Sequence, residues 1–300
     1  MTQAVQAIDF IEVEPGGSPF FCDWYSCLVD ETEDNIIEAL DVPMGLSEIR
    51  PCSGVPQYDQ SRALWSHHYA DRAMLEISYG GNQGASPHLV AKGYTAHQAM
   101  KIVRRVFPAH RVGRMDVAVD LKPRVPGQPL YELVSGILHE LHLSLGLKTR
   151  TINHDVPAMG RTHYLGSRES VAMIRLYEKD KEQASKGLPY IPGNVRLELE
   201  IKPQKRGDRA RWASVSLEDA WGASRWTRTL ADRVLSLDAQ AIRRDQPMQR
   251  TDEQTWEQIL RQHTKLLQRL GPERSQAMLR SLFEGGRDGL SQDVREAAAA

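Results

Sequence analysis

The chain has 300 residues, 38 of them lysine or arginine against 39 aspartate or glutamate, for a net charge of −1. That balance excludes a uniformly basic nucleic-acid coat, although phosphate binding depends on local clusters rather than on the total. No stretch approaches the ~20 apolar residues of a membrane helix, and the N-terminus lacks a basic segment followed by an apolar core, so a soluble, intracellular protein is predicted. Cys22, Cys27 and Cys52 are odd in number and lack metal-ligand spacing, which points to reduced thiols.

The elements alternate. Residues 21–29 read as a strand. Thr32 caps a short helix carrying Ile36, Ile37 and Leu40, and a turn-rich connector with Pro43, Pro51 and Pro56 follows. Residues 63–69 and 73–79 form a hairpin, with 88–91 as a third strand. Thr95 caps a helix with Ala99, Met100, Val103 and Phe107 at helical spacing. Then comes Arg114-Met-Asp-Val-Ala-Val-Asp, a strand with Asp116, Ala118 and Asp120 on one face and Met115, Val117 and Val119 on the other.

The second half repeats the theme. Leu130, Leu133, Val134, Ile137, Leu138 and Leu141 mark an amphipathic helix. On it, His139-Glu-Leu-His142 is one residue short of a zinc-helix motif. Strands are expected at 162–165, 171–178 and 195–202. The whole predicts an α+β fold: a curved antiparallel sheet built from two helix-packed halves, followed by an all-helical C-terminal region. The expected divisions are an N-terminal extension over 1–20, an α+β domain over 21–211 and a helical region over 212–300. In the last, helices are expected at 217–235, 252–270 and 273–283, with Gly271-Pro272 as a stop signal.

Two strands carry the chemistry with the first. Met-Ile-Arg-Leu-Tyr-Glu-Lys at 173–179 places Arg175, Tyr177 and Lys179 on one face, a phenol between two cations. Such a Tyr is a candidate nucleophile, because positive charge favours the phenolate and holds a phosphate. Arg-Leu-Glu-Leu-Glu at 196–200 presents Glu198 and Glu200 opposite an apolar face. Paired carboxylates on two strands repel unless a cation sits between them, and hard oxygen donors suit Mg²⁺ or Mn²⁺. Asp116, Glu198 and Glu200 are the candidate ligands, with Asp120 as an alternative. Basic residues concentrate in Arg104, Arg105, Arg111 and Arg114, and again in Lys202, Lys205, Arg206 and Arg209; with Arg168 these are the candidate DNA contacts.

The order Arg-x-Asp-x-Ala-x-Asp, Tyr-Leu-Gly-Ser-Arg at 164–168, Arg-Leu-Tyr-x-Lys-x-x-Glu at 175–182 and Arg-Leu-Glu-Leu-Glu resembles the replication initiation factor family. Its members are rolling-circle initiators of staphylococcal-type plasmids, related relaxases and filamentous-phage initiators. Asp23-Trp-Tyr-Ser and the stretch from Gly80 to Gly93 fit the same pattern, so the resemblance covers roughly residues 20–205. It implies a DNA strand-nicking and rejoining enzyme of a bacterial cytoplasm that leaves a 5′-phosphotyrosine and a free 3′-hydroxyl at origin DNA. It also implies a possible homodimer and host helicase and polymerase partners. Tyr177 is the expected nucleophile and Tyr164, on the neighbouring strand, its competitor. The alternatives are a non-catalytic origin-binding or regulatory protein, and a hydrolytic nuclease in which water attacks.

Overall fold

A computed structural model describes residues 8–10, 18–81, 86–153, 156, 159–242 and 269–276. The chain divides into two compact units, 1–244 and 245–300. In the first, eleven antiparallel strands form one open sheet. They are β1 (Ile8–Phe10), β2 (Phe20–Leu28), β3 (Leu46–Pro51), β4 (Gln60–Ser66), β5 (Leu75–Tyr79), β6 (His88–Lys92), β7 (Arg111–Pro123), β8 (Thr149–Ile152), β9 (Thr162–Leu165), β10 (Ala172–Glu178) and β11 (Val195–Ile201). Their order is β3-β4-β5-β6-β2-β7-β11-β10-β9-β8, with β1 added to β7 beyond the end of β2.

The sheet is apolar on one face because its central strands alternate strictly. Met115, Val117, Val119 and Leu121 of β7, Leu197, Leu199 and Ile201 of β11, and Ile174 and Leu176 of β10 are fully buried. Helix α2 (Ala96–Val106) packs beside β2 and β6, α1 (Glu33–Met44) packs on α2 and β3, and α3 (Leu130–Leu145) lies on β9 and β10. Their apolar stripes join the same core. The opposite face carries the polar residues of the same strands, which sets the chemistry on one side of the sheet.

Several elements differ from expectation. The turn-rich connector contains β3, an edge strand whose side chains are almost all exposed, so it has no apolar alternation to announce it. Its Pro51 sits at the strand end, where a missing N–H is harmless. Pro43 lies inside the last turn of α1. The Thr32 hydroxyl caps α1 by accepting from the Asn35 N–H, whereas Thr95 makes no such cap on α2 and instead donates to the Lys92 carbonyl. The predicted helix over 217–235 is broken into a 3-10 turn (Asp219–Ala223), α6 (Arg225–Leu230) and a π-helical turn (Ala231–Leu235). Ser224 causes the break by turning extended and capping α6 in a reciprocal box with Thr227. Trp221, Leu230 and Val234 of this segment are buried in the core, as is Trp212 just before it. Further on, 269–276 is helical, with Gly271 left-handed at φ 74°; the rest of the helices expected at 252–270 and 273–283 lies outside the described residues. Among the described residues no helix is long and apolar enough to cross a membrane.

His163 of β9 is buried under α3, hydrogen-bonded to the Ser135 hydroxyl at 2.7 Å and to the Thr149 hydroxyl at 2.6 Å. Burial, and then His139 and His142, hold its pKa below the ordinary value. The unfolded imidazole takes up a proton near pH ~6.5 and the folded one at lower pH, so falling pH pulls the chain towards the unfolded state. His163→Asn should lower stability by about 1–3 kcal/mol at pH 7.5, since the shorter amide in this buried position cannot reach both the Ser135 and Thr149 hydroxyls and leaves its own polar atoms short of a partner. It should also flatten the loss that wild type shows below about pH 6.5. Urea unfolding at pH 7.5 and 5.5 checks this, and parallel losses in both proteins would sink it.

Candidate active site

The polar face gathers its functional groups by register. Glu200 of β11 lies opposite Asp116 of β7, Arg196 opposite Asp120, and Glu198 opposite the small Ala118. Across the next pair, Arg175 of β10 faces Glu198 and Tyr177 faces Arg196. Tyr164 of β9 then faces Arg175. Alternation and register together therefore bring Tyr177, Arg175, Tyr164, Asp116, Glu198, Glu200 and Asp120 to one face.

The cations between the carboxylates are guanidinium groups. Arg114 grips Asp116 with two bonds of 2.8 and 2.6 Å, and its second terminal nitrogen also meets Glu200 at 2.8 Å. Lys202 pairs with the other Glu200 oxygen at 2.6 Å. Arg175 donates to Glu198 from Nε at 2.8 Å and again from Nη2. Asp120 stands apart from this trio: Arg196 holds it with bonds of 2.6 and 2.8 Å and reaches Asp23 at 3.2 Å. Burial pushes the Asp116 carboxyl up to about 6 against the pull of Arg114, and it raises Glu198 against the pull of Arg175.

Tyr177 differs from the phenol expected between two cations. Its hydroxyl donates to Glu198 Oε1 at 2.8 Å, and burial followed by the Glu198 charge pushes its pKa well up. The cations are present: the Arg175 guanidinium lies 5.4 Å from the ring centroid and Lys179 Nζ 5.5 Å. They stack on the ring instead of meeting the oxygen, so burial and the carboxylate decide the direction. Lys179 is also not on the strand. β10 ends at Glu178, and Lys179 opens α4 (Lys179–Ser185), where it pairs with Glu182 at 2.6 Å.

Two cavities adjoin here. One of about 740 Å³ holds Tyr177, Lys179, Asp120, Asp23 and Arg196; the other, of about 300 Å³, holds Asp116, Glu198, Glu200, Lys202 and Arg168. Tyr164 and Arg175 line both.

Other predicted DNA contacts lie elsewhere. Arg104 donates to the Trp212 carbonyl and packs over Tyr25, facing inward. Arg111 pairs with Asp30, and Arg209 of α5 (Arg206–Arg211) donates to the Pro203 carbonyl. Arg105, Lys205 and Arg206 are exposed.

Asp23 and Arg196 are the residues that sequence reasoning did not place in the site. β2 carries a register shift between Cys22 and Trp24. That bulge lets Asp23 reach Arg196 while its neighbour Trp24 lies under Arg114, 4.6 Å from the guanidinium carbon, on the same face. The signal was present in Asp23-Trp24, but strict alternation sends the two apart. Arg196→Met should cost about 3–5 kcal/mol, because it strands Asp120 and Asp23 without their counter-charge. Chemical denaturation measures this, and a loss under about 1 kcal/mol would put the pair among exposed bridges.

Among the described residues no three His, Cys, Asp or Glu side chains form a ready cage for an ion. The donor set nevertheless fits a hard divalent cation. Asp116 and Glu200 are oxygen donors that already converge on one nitrogen, the Arg114 guanidinium standing where a cation would. Mg²⁺ is commonly held by one or two carboxylates completed by substrate phosphate.

The model of a family described as replication initiation factor matches residues 111–278, more than half of the chain. That span includes β7, β9, β10 and β11, the strands that build the site. The solved structure of the rolling-circle replication initiator protein from Geobacillus stearothermophilus resembles this one with a TM-score of 0.47 at 18% identity, covering 74% of this chain and 99% of that chain. No curated protein sequence matches.

Proposed function

The chain belongs to the replication initiation factor family, and from that premise we propose that it nicks one strand of origin DNA by tyrosine transesterification to start rolling-circle replication. The observation that supports this reading most is the Tyr177 hydroxyl donating to a buried glutamate at 2.8 Å. A nucleophile hydrogen-bonded to a carboxylate whose proton affinity is raised by burial is a nucleophile with its general base in place.

In this mechanism Glu198 takes the Tyr177 proton as the phenol oxygen attacks the scissile phosphorus. The bond from phosphorus to the 3′ oxygen breaks, and that oxygen leaves as a 3′-hydroxyl, the proton returning to it. The 5′-phosphate stays on Tyr177. Arg175 both holds Glu198 and flanks the ring, so it restrains base and nucleophile together. Lys179, which lines the larger cavity, offers a cation to the phosphate oxygens. Asp116 and Glu200 would hold Mg²⁺ or Mn²⁺, which when bound polarises the phosphate. Arg168 and Lys202 extend the positive lining for the strand. Because the phosphotyrosine conserves the phosphodiester, the reverse reaction rejoins DNA.

The test uses wild-type protein, Mn²⁺ and a single strand spanning the origin of the same element, labelled at the 5′ or the 3′ end. Transesterification predicts that only the 3′-end label shifts with the protein on a denaturing gel. Cleavage with neither label retained would assign the attack to water, and binding without cleavage would leave a DNA-binding protein only.

A further inference from the structure

The polar face of the sheet continues beyond the catalytic groups. From Asp116 of β7 the register runs outward through Trp24 of β2 to Lys92 of β6. One row over, it runs from Arg114 through Ser26, Val90 and Glu76 to Ala63 of β4 and Arg50 of β3. Trp65 lies two residues along β4 from Ala63 and so points the same way. Residues opposite one another in a ladder share a face, so two indole rings stand on the side of the sheet that carries Asp116 and Glu200. β4 is four strands from β7, roughly 19 Å at the usual strand spacing.

Each ring carries a cation. The Arg114 guanidinium lies 4.6 Å from the Trp24 ring centre and Lys92 Nζ 5.4 Å, while Arg50 lies 4.6 Å from that of Trp65. Both rings are partly exposed, and between them the buried Val90 and Ala63 keep the surface low. Arg50 pairs with Glu48, and Lys92 pairs with Glu76 at 2.8 Å. This half of the face therefore has little net charge for phosphates, although exposed pairs of this kind hold weakly. What it offers is flat surfaces, two indoles and a guanidinium, on which bases of any sequence stack.

We infer that Trp24 and Trp65, with Arg50 and Lys92, form a base-stacking subsite that carries unpaired DNA away from the nick across β2, β6, β5 and β4. The inference rests on the single-stranded DNA substrate of the reading above. Arg114 joins the two regions, since it covers Trp24 and also bridges Asp116 and Glu200. Bases in a duplex are already stacked on one another, so the row selects the melted strand and leaves the choice of sequence to other contacts.

The experiment is a fluorescence-anisotropy titration of full-length protein, without divalent metal, using labelled single strands. One strand spans only the nick. The others carry about ten further thymidines on one flank or the other, within the roughly 4–16 nucleotides that stacking surfaces cover. Wild type should bind an extended strand more tightly than the short one on at least one flank. Trp65→Leu should lose that advantage, weakening the extended strand about 5–150-fold, and Trp65→Phe should retain most of it. The slope of log affinity against log salt should stay at the wild-type value in Trp65→Leu, because no phosphate contact is removed. An advantage that survives in Trp65→Leu, or a Phe variant as weak as the Leu variant, would overturn the inference. A shallower salt slope would make the row a phosphate contact and overturn the stacking. Wild type without an advantage on either flank would overturn it with no variant needed. Wild type that binds none of the strands would instead overturn the DNA-nicking reading on which the inference stands.

Discussion

Tyr177→Phe is expected to abolish the first covalent adduct and to lower strand cleavage by on the order of 10⁴–10⁶-fold, the scale seen when a nucleophile is deleted. Phenylalanine keeps the ring, so the stacking of Arg175 and Lys179 and the packing on β10 survive. What disappears is the hydroxyl and its bond to Glu198. The freed carboxylate oxygen stays buried, which costs about 1–3 kcal/mol and keeps the protein folded enough for a fair comparison. Denaturing gels with labelled strands read the result. An undiminished adduct in this variant, lost instead in Tyr164→Phe, would move the first attack to β9.

Glu198→Gln should slow adduct formation by about 10²–10⁴-fold, the usual worth of a positioned base. The amide preserves shape and can still accept the Tyr177 hydrogen bond, but it cannot take the proton. It also leaves Arg175 without the carboxylate opposite it in register, so thermal unfolding must accompany the rate measurement. Raising Mn²⁺ separates two roles for this residue. If Glu198 acts as base, added metal does not restore the rate. If it were chiefly an ion ligand, saturating metal would recover most of the loss. An unchanged rate without added metal would remove Glu198 from the mechanism.

The two variants probe one hydrogen bond from its two ends, and that bond was not legible in the sequence. Reading Arg175-Leu-Tyr177-Glu-Lys179 alone, the phenol sits between cations and its proton should be loosened. In the folded chain the register of β10 on β11 sets Arg175 opposite Glu198, and Tyr177 reaches the same carboxylate. Cations without a bond to the oxygen are outweighed by burial and by that carboxylate. The paired acids were read for repulsion, which is real, but their neutralisation comes from arginines on the strands themselves. Arg114 lies two residues from the Asp116 that it clamps, yet only the alignment of β7 with β11 shows that it also bridges to Glu200.

By itself the sequence determined the alternation of β7, β10 and β11. Period-two spacing of apolar residues admits one buried face and so fixes which side chains share the other. It also determined the helices that cover the core, because their apolar stripes recur at helical spacing. Tertiary structure alone decided what alternation cannot encode. The strand order β2-β7-β11-β10-β9 makes neighbours of residues far apart in the chain. The β2 bulge breaks the two-residue period and turns both Asp23 and Trp24 towards the site. Burial of Glu198 and Tyr177 under their neighbours sets the direction of both pKa shifts, and burial belongs to the assembled sheet rather than to any one strand.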